Sequence, residues 1–159
     1  MTPSAQPHEH HDGYLQAALA VLKEKGYRIT GPRRMVAGLL SETDEALNAN
    51  EIRERLAGVG QSIDLVSVYR ILDCLHENGL IHRILATGKV IRCHLEHEDH
   101  CHREQSDHCH HLLVCDQCNC VSEIHCPGIE TLVKRIETDS GFVIRQHRLE
   151  FTGLCPDCA

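Results

Sequence analysis

Between Asp99 and Cys120 the chain reads DHCHREQSDHCHHLLVCDQCNC, five histidines and five cysteines in 22 positions. Imidazole nitrogen and thiolate sulfur are the donors that hold zinc best, so the tract points to metal binding, with a storage tail, disulfides or an enzyme centre as alternatives. Cys115-x-x-Cys118 is a tight turn able to aim two thiolates at one point, and Cys155-x-x-Cys158 is a second. Together the two turns complete a tetrahedral four-sulfur shell without an open position, the form of a structural rather than a catalytic zinc site. A redox dithiol is disfavoured by the matched pairs. Cys74 on an apolar helical stretch, and Cys120 and Cys126 beside the first turn, read as small buried hydrophobes. His94-Leu95-Glu96 superficially matches the His-x-Glu of zinc deaminases, but those need Pro-Cys-x-x-Cys, and here Val114 and Leu154 precede the pairs. The expectation is therefore a protein that is not an enzyme.

The elements that must position these donors fall into two halves. GYLQAALAVLKEKG reads as an amphipathic helix stopped at Gly26, and a second helix enters through Thr30 with Pro32 in its first turn. Asn48 caps a third helix that stops at Gly58, and a fourth runs apolar at Leu65, Val68, Ile71, Leu72 and Leu75 before Gly79. LIHRIL and KVIRCHL, joined at Ala86-Thr87-Gly88, read as a hairpin. Helices followed by a hairpin outline a winged helix-turn-helix. The second half reads as strand (HHLLVC), strand (CVSEIH), a helix over Pro127 to Ser140, and a strand over FVIRQHRLEF.

These segments predict an α/β (α+β) fold with three parts: a His-containing disordered tail over 1–12, a winged-helix DNA-binding domain over 13–95, and a small α/β domain with a four-cysteine zinc knuckle over 96–159. The 159 residues suffice for this, and 42% hydrophobic content without tryptophan suits an aliphatic core. No apolar run is long enough for a membrane span, and the first residues lack the basic and apolar regions of a signal peptide, so the expected compartment is the cytoplasm. Reduced thiols there make ten cysteines a sign of metal or redox chemistry. The net charge of −7 argues mildly against nucleic acid, but Lys23, Lys25, Arg28, Arg33 and Arg34 cluster near the second helix.

The sequence resembles the ferric uptake regulator family of dimeric metal-sensing repressors over roughly residues 14 to 158. RITGPRR resembles the family's Arg-x-Thr-x-x-Arg motif (Arg28, Thr30, Arg33), SVYRILDCLHENGLI its recognition helix, and HHLLVCDQC with GLCPDC its metal-bearing half. Within the family it is most similar to the zinc uptake regulator branch. That resemblance implies a regulatory zinc held by His82, Cys93, either His108 or His110, and Glu123, and a donor set of this kind suits tetrahedral zinc over hard octahedral metals. Ala46 stands where the iron and peroxide sensors usually carry histidine, and Leu112 where a strand histidine is common. The stretch between Cys93 and His108 is longer than usual and reads as a solvated charged loop or a further metal tract.

The resemblance further implies a possible third metal site at His111, Glu130 and His147, for which a hydrogen-bonded surface trio is the alternative. Zinc is thus expected at two or three ions per chain. For DNA, Ser67, Tyr69 and Arg70 lie on the exposed start of the fourth helix, which would enter the major groove, while Arg28 and Arg33 would contact phosphates. Core packing is the alternative reading of Tyr69. The implied function is zinc-responsive control of zinc-homeostasis genes by a homodimer on a double-stranded DNA operator, without membrane or small organic substrate. An iron or peroxide sensor of the same family, or a zinc buffer that does not bind DNA, are the alternatives.

Overall fold

The structure is a computed structural model and describes residues 11–93, 110–125, 128–145 and 147–159. The chain divides into two compact units, Met1–Cys93 and His94–Ala159. The first holds four helices and a two-stranded ladder. Helix α1 (His11–Glu24) buries Tyr14, Ala18, Val21 and Leu22, a stripe at helical spacing. Helix α2 (Gly31–Ser41) is entered as its sequence dictates: the Thr30 side chain accepts from the Arg33 backbone N–H, with Pro32 in the first turn. Helix α3 (Ala49–Gly58) starts in a capping box, in which the Glu51 N–H donates to Asn48 Oδ1 at 2.9 Å and the Asn48 N–H donates to Glu51 Oε2 at 2.7 Å. Helix α4 (Leu65–Glu77) begins at Asp64, which accepts from the Ser67 N–H at 2.9 Å. It turns Val68, Ile71, Leu72, Cys74 and Leu75 into the core.

Strands β1 (Ile81–Arg83) and β2 (Val90–Arg92) pair antiparallel, with His82 opposite Ile91. Gly88, at φ 68°, supplies the left-handed turn between them. The ladder is tied to the helices at three points. Leu47 exchanges two backbone hydrogen bonds with Val90, at 2.9 and 2.8 Å. The Tyr14 hydroxyl donates to the Leu80 carbonyl at 2.8 Å. The buried Arg92 guanidinium donates to the Ser41 carbonyl at 2.7 Å and to Asp44 at 2.6 Å. A buried guanidinium without such partners would carry a large desolvation penalty, so this clamp specifies where the wing sits.

The second unit is a three-stranded sheet and one helix. Strand β3 (His110–Cys115) is central, antiparallel to β4 (Val121–His125) and parallel to β5 (Glu150–Gly153). Helix α5 (Ile129–Ser140) is the crossover, ended by Gly141 at φ 72°, whose N–H donates to the Glu137 carbonyl. The expected start at Pro127 lies outside the described residues. The expected long final strand over FVIRQHRLEF is corrected: the ladder begins at Glu150 and runs on to Gly153. β5 pairs with β3 from Leu112↔Glu150 onward, whereas earlier in the segment the Ile144 N–H donates to the Glu137 side chain of α5 at 2.7 Å rather than to a strand. Among the described residues no helix is long and apolar enough to cross a membrane.

Candidate metal centres and nucleic-acid face

The parallel β3–β5 pairing sets Cys115 beside Gly153 and so delivers the second Cys-x-x-Cys turn to the first. The Asp116 N–H donates to the Gly153 carbonyl at 2.8 Å, and the Cys155 N–H donates to the Cys115 sulfur at 3.4 Å. The sulfurs of Cys118 and Cys155 lie 3.7 Å apart. Two thiolates at zinc–sulfur distances of about 2.3 Å around a tetrahedral ion stand roughly 3.8 Å from each other, so this spacing fits zinc. Within this unit, Cys115, Cys118, Cys120 and Cys155 are the one group of three or more described donors whose ligand atoms all lie within 4.8 Å of one another. Cys158 joins the same network through hydrogen bonds with Cys155, Cys118 and Cys115.

Cys120 was expected to be a buried hydrophobe, and this is corrected: it is exposed, and its sulfur faces the other thiols. The sequence signal is Cys-x-x-Cys-Asn-Cys, in which a residue tolerant of left-handed backbone separates the third cysteine from the pair. Cys74 is buried in the helical core, and Cys126 lies outside the described residues. The thiols are electrostatically unequal. The backbone N–H groups of Cys118 and then Cys155 lower the Cys115 thiol to about 6. Burial opposes ionisation of Cys155, but hydrogen bonds from Cys158 and the Asp157 backbone outweigh it and lower its pKa. Cys120 is raised to about 12, chiefly by hydrogen bonding to Cys118, and Cys158 is raised by hydrogen bonding to Cys155 and Cys118. The sulfurs of Cys115, Cys118, Cys120 and Cys155 are close enough together for one soft cation to be shared among them.

In the first unit His82 is half-buried on β1, and Cys93 is buried just past β2, its N–H donating to the Leu80 carbonyl at 3.0 Å. The register places Cys93 beside Leu80 and Ile91 beside His82, so His82 and Cys93 are diagonal neighbours on one face of the ladder. In the second unit Glu123 is half-buried on β4 opposite Leu112. His110 opens β3, but its side chain lies outside the described residues, as does all of His108. His111 is fully buried and its ring centroid is 5.6 Å from that of His147. His147 is half-buried, and Glu130 stands exposed in the first turn of α5.

On the nucleic-acid side, Tyr69 is 50% exposed, which removes the core-packing reading, and Val66 and Arg70 are exposed beside it. Ser67 donates from both its N–H and its hydroxyl to Asp64. Arg33 donates to the Arg28 carbonyl at 2.5 Å and stands over the Tyr27 ring, which shapes the loop before α2. Arg28 is exposed and, with Lys23 and Arg34, lines a groove between α1 and α2.

Comparison with known proteins decides what these sites belong to. Residues 24–152 match the Ferric uptake regulator family. The chain is also 32% identical over 142 residues to the ferric uptake regulation protein of Neisseria meningitidis, covering 88% of this chain and 92% of that one. The chain belongs to the ferric uptake regulator family. It is 29% identical to the zinc uptake regulation protein of Escherichia coli, covering 91% of this chain and 80% of the relative. A zinc uptake regulator complexed with zinc and DNA superposes with a TM-score of 0.79 at 27% identity, covering 94% of this chain and 95% of that one. The protein is accordingly a metal-responsive, DNA-binding transcription regulator of the ferric uptake regulator family, with a winged-helix domain and a dimerisation domain.

Proposed function

We propose that this regulator responds to zinc, controls zinc-homeostasis genes from the cytoplasm, and acts as a homodimer on a double-stranded DNA operator. The observation that carries the reading is the thiol of Cys93, buried on the same ladder face as the His82 imidazole. A thiolate beside an imidazole selects borderline-soft zinc over hard octahedral cations. His82 and Cys93 come from the wing, and Glu123, with His108 or His110, from the second unit. A zinc ion taking donors from both couples the two units. Because a ligand shifts an equilibrium only by its differential affinity, such a site favours the arrangement in which all four donors meet, locking the dimer in its DNA-binding form.

Cys115, Cys118, Cys155 and Cys158 hold a structural zinc that supports the dimerisation fold. His111 and His147, with Glu130, form a third site that tunes stability or affinity. For DNA, α4 enters the major groove with Tyr69 and Arg70, Ser67 fixes its first turn, and Arg28 and Arg33 meet phosphates. Homodimerisation is supported by the apolar surface of the second unit, where Leu132, Ile136 and Phe151 are exposed.

Operator affinity measured against buffered free zinc, at one fixed salt concentration, tests the sensor. His82→Ala keeps the fold and the four-cysteine zinc but loses most zinc-dependent binding. By linkage the operator tightens zinc binding at the sensor by the same factor, on the order of 5- to 150-fold. Identical curves for the two proteins would remove His82 from the sensor. The Neisseria relative is an iron regulator by name, so the same titration with ferrous ion separates the iron reading: a ferrous response at lower free metal than the zinc response favours iron.

A further inference from the structure

Five thiols crowd a position that a tetrahedral ion fills with four. Asn119 brings this about locally. It takes up the left-handed conformation at φ 58°, which few residues other than glycine adopt and which Asn and Asp tolerate best. The chain doubles back after Cys118, and the turn closes through the Asn119 N–H on the Cys115 carbonyl and the Cys115 N–H on the Cys120 carbonyl, both at 2.9 Å. That turn carries the Cys120 sulfur to within 4.8 Å of those of Cys115, Cys118 and Cys155. Cys118 and Cys155 are the middle pair, each hydrogen-bonded to both Cys120 and Cys158. Cys120 and Cys158 therefore flank one trio from two separate turns.

Resting on the reading of a four-thiolate zinc site, we infer that Cys120 is a fifth ligand of that site and competes with Cys158 for the fourth coordination position. The exchange is a substitution without redox change. As the Cys120 sulfur binds it gives up its proton, the bond to Cys158 breaks, and the released Cys158 thiolate takes up a proton. The trio Cys115, Cys118 and Cys155 anchors it throughout. Because Cys120 is exposed, this exchange gives an external thiol or chelator a route to the ion.

The test loads the full-length wild type, Cys120→Ser, Cys158→Ser and the double variant with cobalt(II) as a spectroscopic probe and, separately, with zinc. Sulfur-to-cobalt charge-transfer intensity counts the thiolates, and zinc per chain is counted after dialysis. Each single variant keeps the four-thiolate spectrum and the wild-type zinc content, whereas the double variant loses one thiolate from the spectrum and its hold on the ion. Among the five knuckle cysteines of the zinc-loaded wild type, alkylation followed by peptide mass spectrometry finds one modified thiol, shared between positions 120 and 158. If Cys158→Ser falls to the level of the double variant, or alkylation marks Cys120 alone with Cys158 fully protected, the inference is overturned and the four-thiolate reading stands. A wild type without a four-thiolate spectrum overturns both.

Discussion

Residues 11–93 face a common interior: Leu22, Ile52, Leu75 and Leu80 are completely buried, and helices, wing and loop Leu47 all contribute. Residues 110–159 look different, with Phe142 at 73%, Val143 at 82% and Leu132 at 51% exposed, and with α5 burying Ile129 alone. The first unit is held by its own apolar burial and by helix caps. A unit as short as His94–Ala159 seldom supplies enough core by itself, and small scaffolds of that size draw on metals or oligomerisation. The contrast predicts a division of labour, in which the folded state of the first unit rests on its own core and that of the second rests on what it binds.

The largest expected effect breaks the contrast at its metal end. Structural zinc sites contribute apparent binding energies of about 10–16 kcal/mol that are also folding energy. Replacing both Cys155 and Cys158 by Ser removes every thiolate of the second turn, so hydrogen exchange should show β3, β4 and β5 unprotected while the helical unit stays protected. Uniform protection in both units would show that zinc is not what holds the sheet. Next in size, Leu75→Ala cuts the core at a fully buried position and should cost the first unit about 2–5 kcal/mol, read by urea unfolding, with zinc per chain unchanged. Asn48→Ala removes one side of the capping box and should cost about 1 kcal/mol in the same titration.

The smallest effect is a pH slope. The Asn48 backbone N–H, and then the Lys89 ammonium at 2.9 Å, hold the Glu51 carboxyl below its ordinary value of 4.5. The folded state therefore binds that proton more weakly than the unfolded chain. The stabilisation is complete above pH 4.5 and is lost as pH falls through the lowered folded value. Since the pair is about a third exposed, solvent screening limits it to about 0.5 kcal/mol. Glu51→Gln should flatten this part of the stability curve, and an unchanged slope would place the acid dependence elsewhere.

Local signals were legible wherever a side chain meets its own backbone. Thr30 and Asn48 cap the helices they precede, and Gly88 turns the hairpin, because such bonds span only a few residues. The two Cys-x-x-Cys turns were legible for the same reason. The sequence could not reveal which sulfurs meet across the sheet, since that follows from β3–β5 register, and a two-residue offset separates a packed cysteine from a donor. Cys120 was misread on this ground. The short β5 was misread because β-branched and aromatic residues over FVIRQHRLEF suit a strand, while the Ile144 N–H is taken by the Glu137 side chain seven positions back. Arg92 as the buried clamp on Ser41 and Asp44 carried no sequence signal, its partners being 51 and 48 positions away.

The parallel pairing of β3 with β5 also acts as a clock. Cys118 and Cys155 are 37 positions apart, and contacts across long loops form after local ones because closure carries an entropy cost. Helices that pack on their sequence neighbours form early, whereas the second thiolate turn arrives late. On that order of events the thiols of Cys115, Cys118 and Cys120, which share a single turn, would meet a soft cation before those of Cys155 and Cys158. Intrinsic affinities rank copper above zinc at most sites, and the supply of metal, rather than affinity, decides occupancy in such cases. On this order of assembly, metal choice at the knuckle would depend on when and where the chain folds, as well as on the donors it carries.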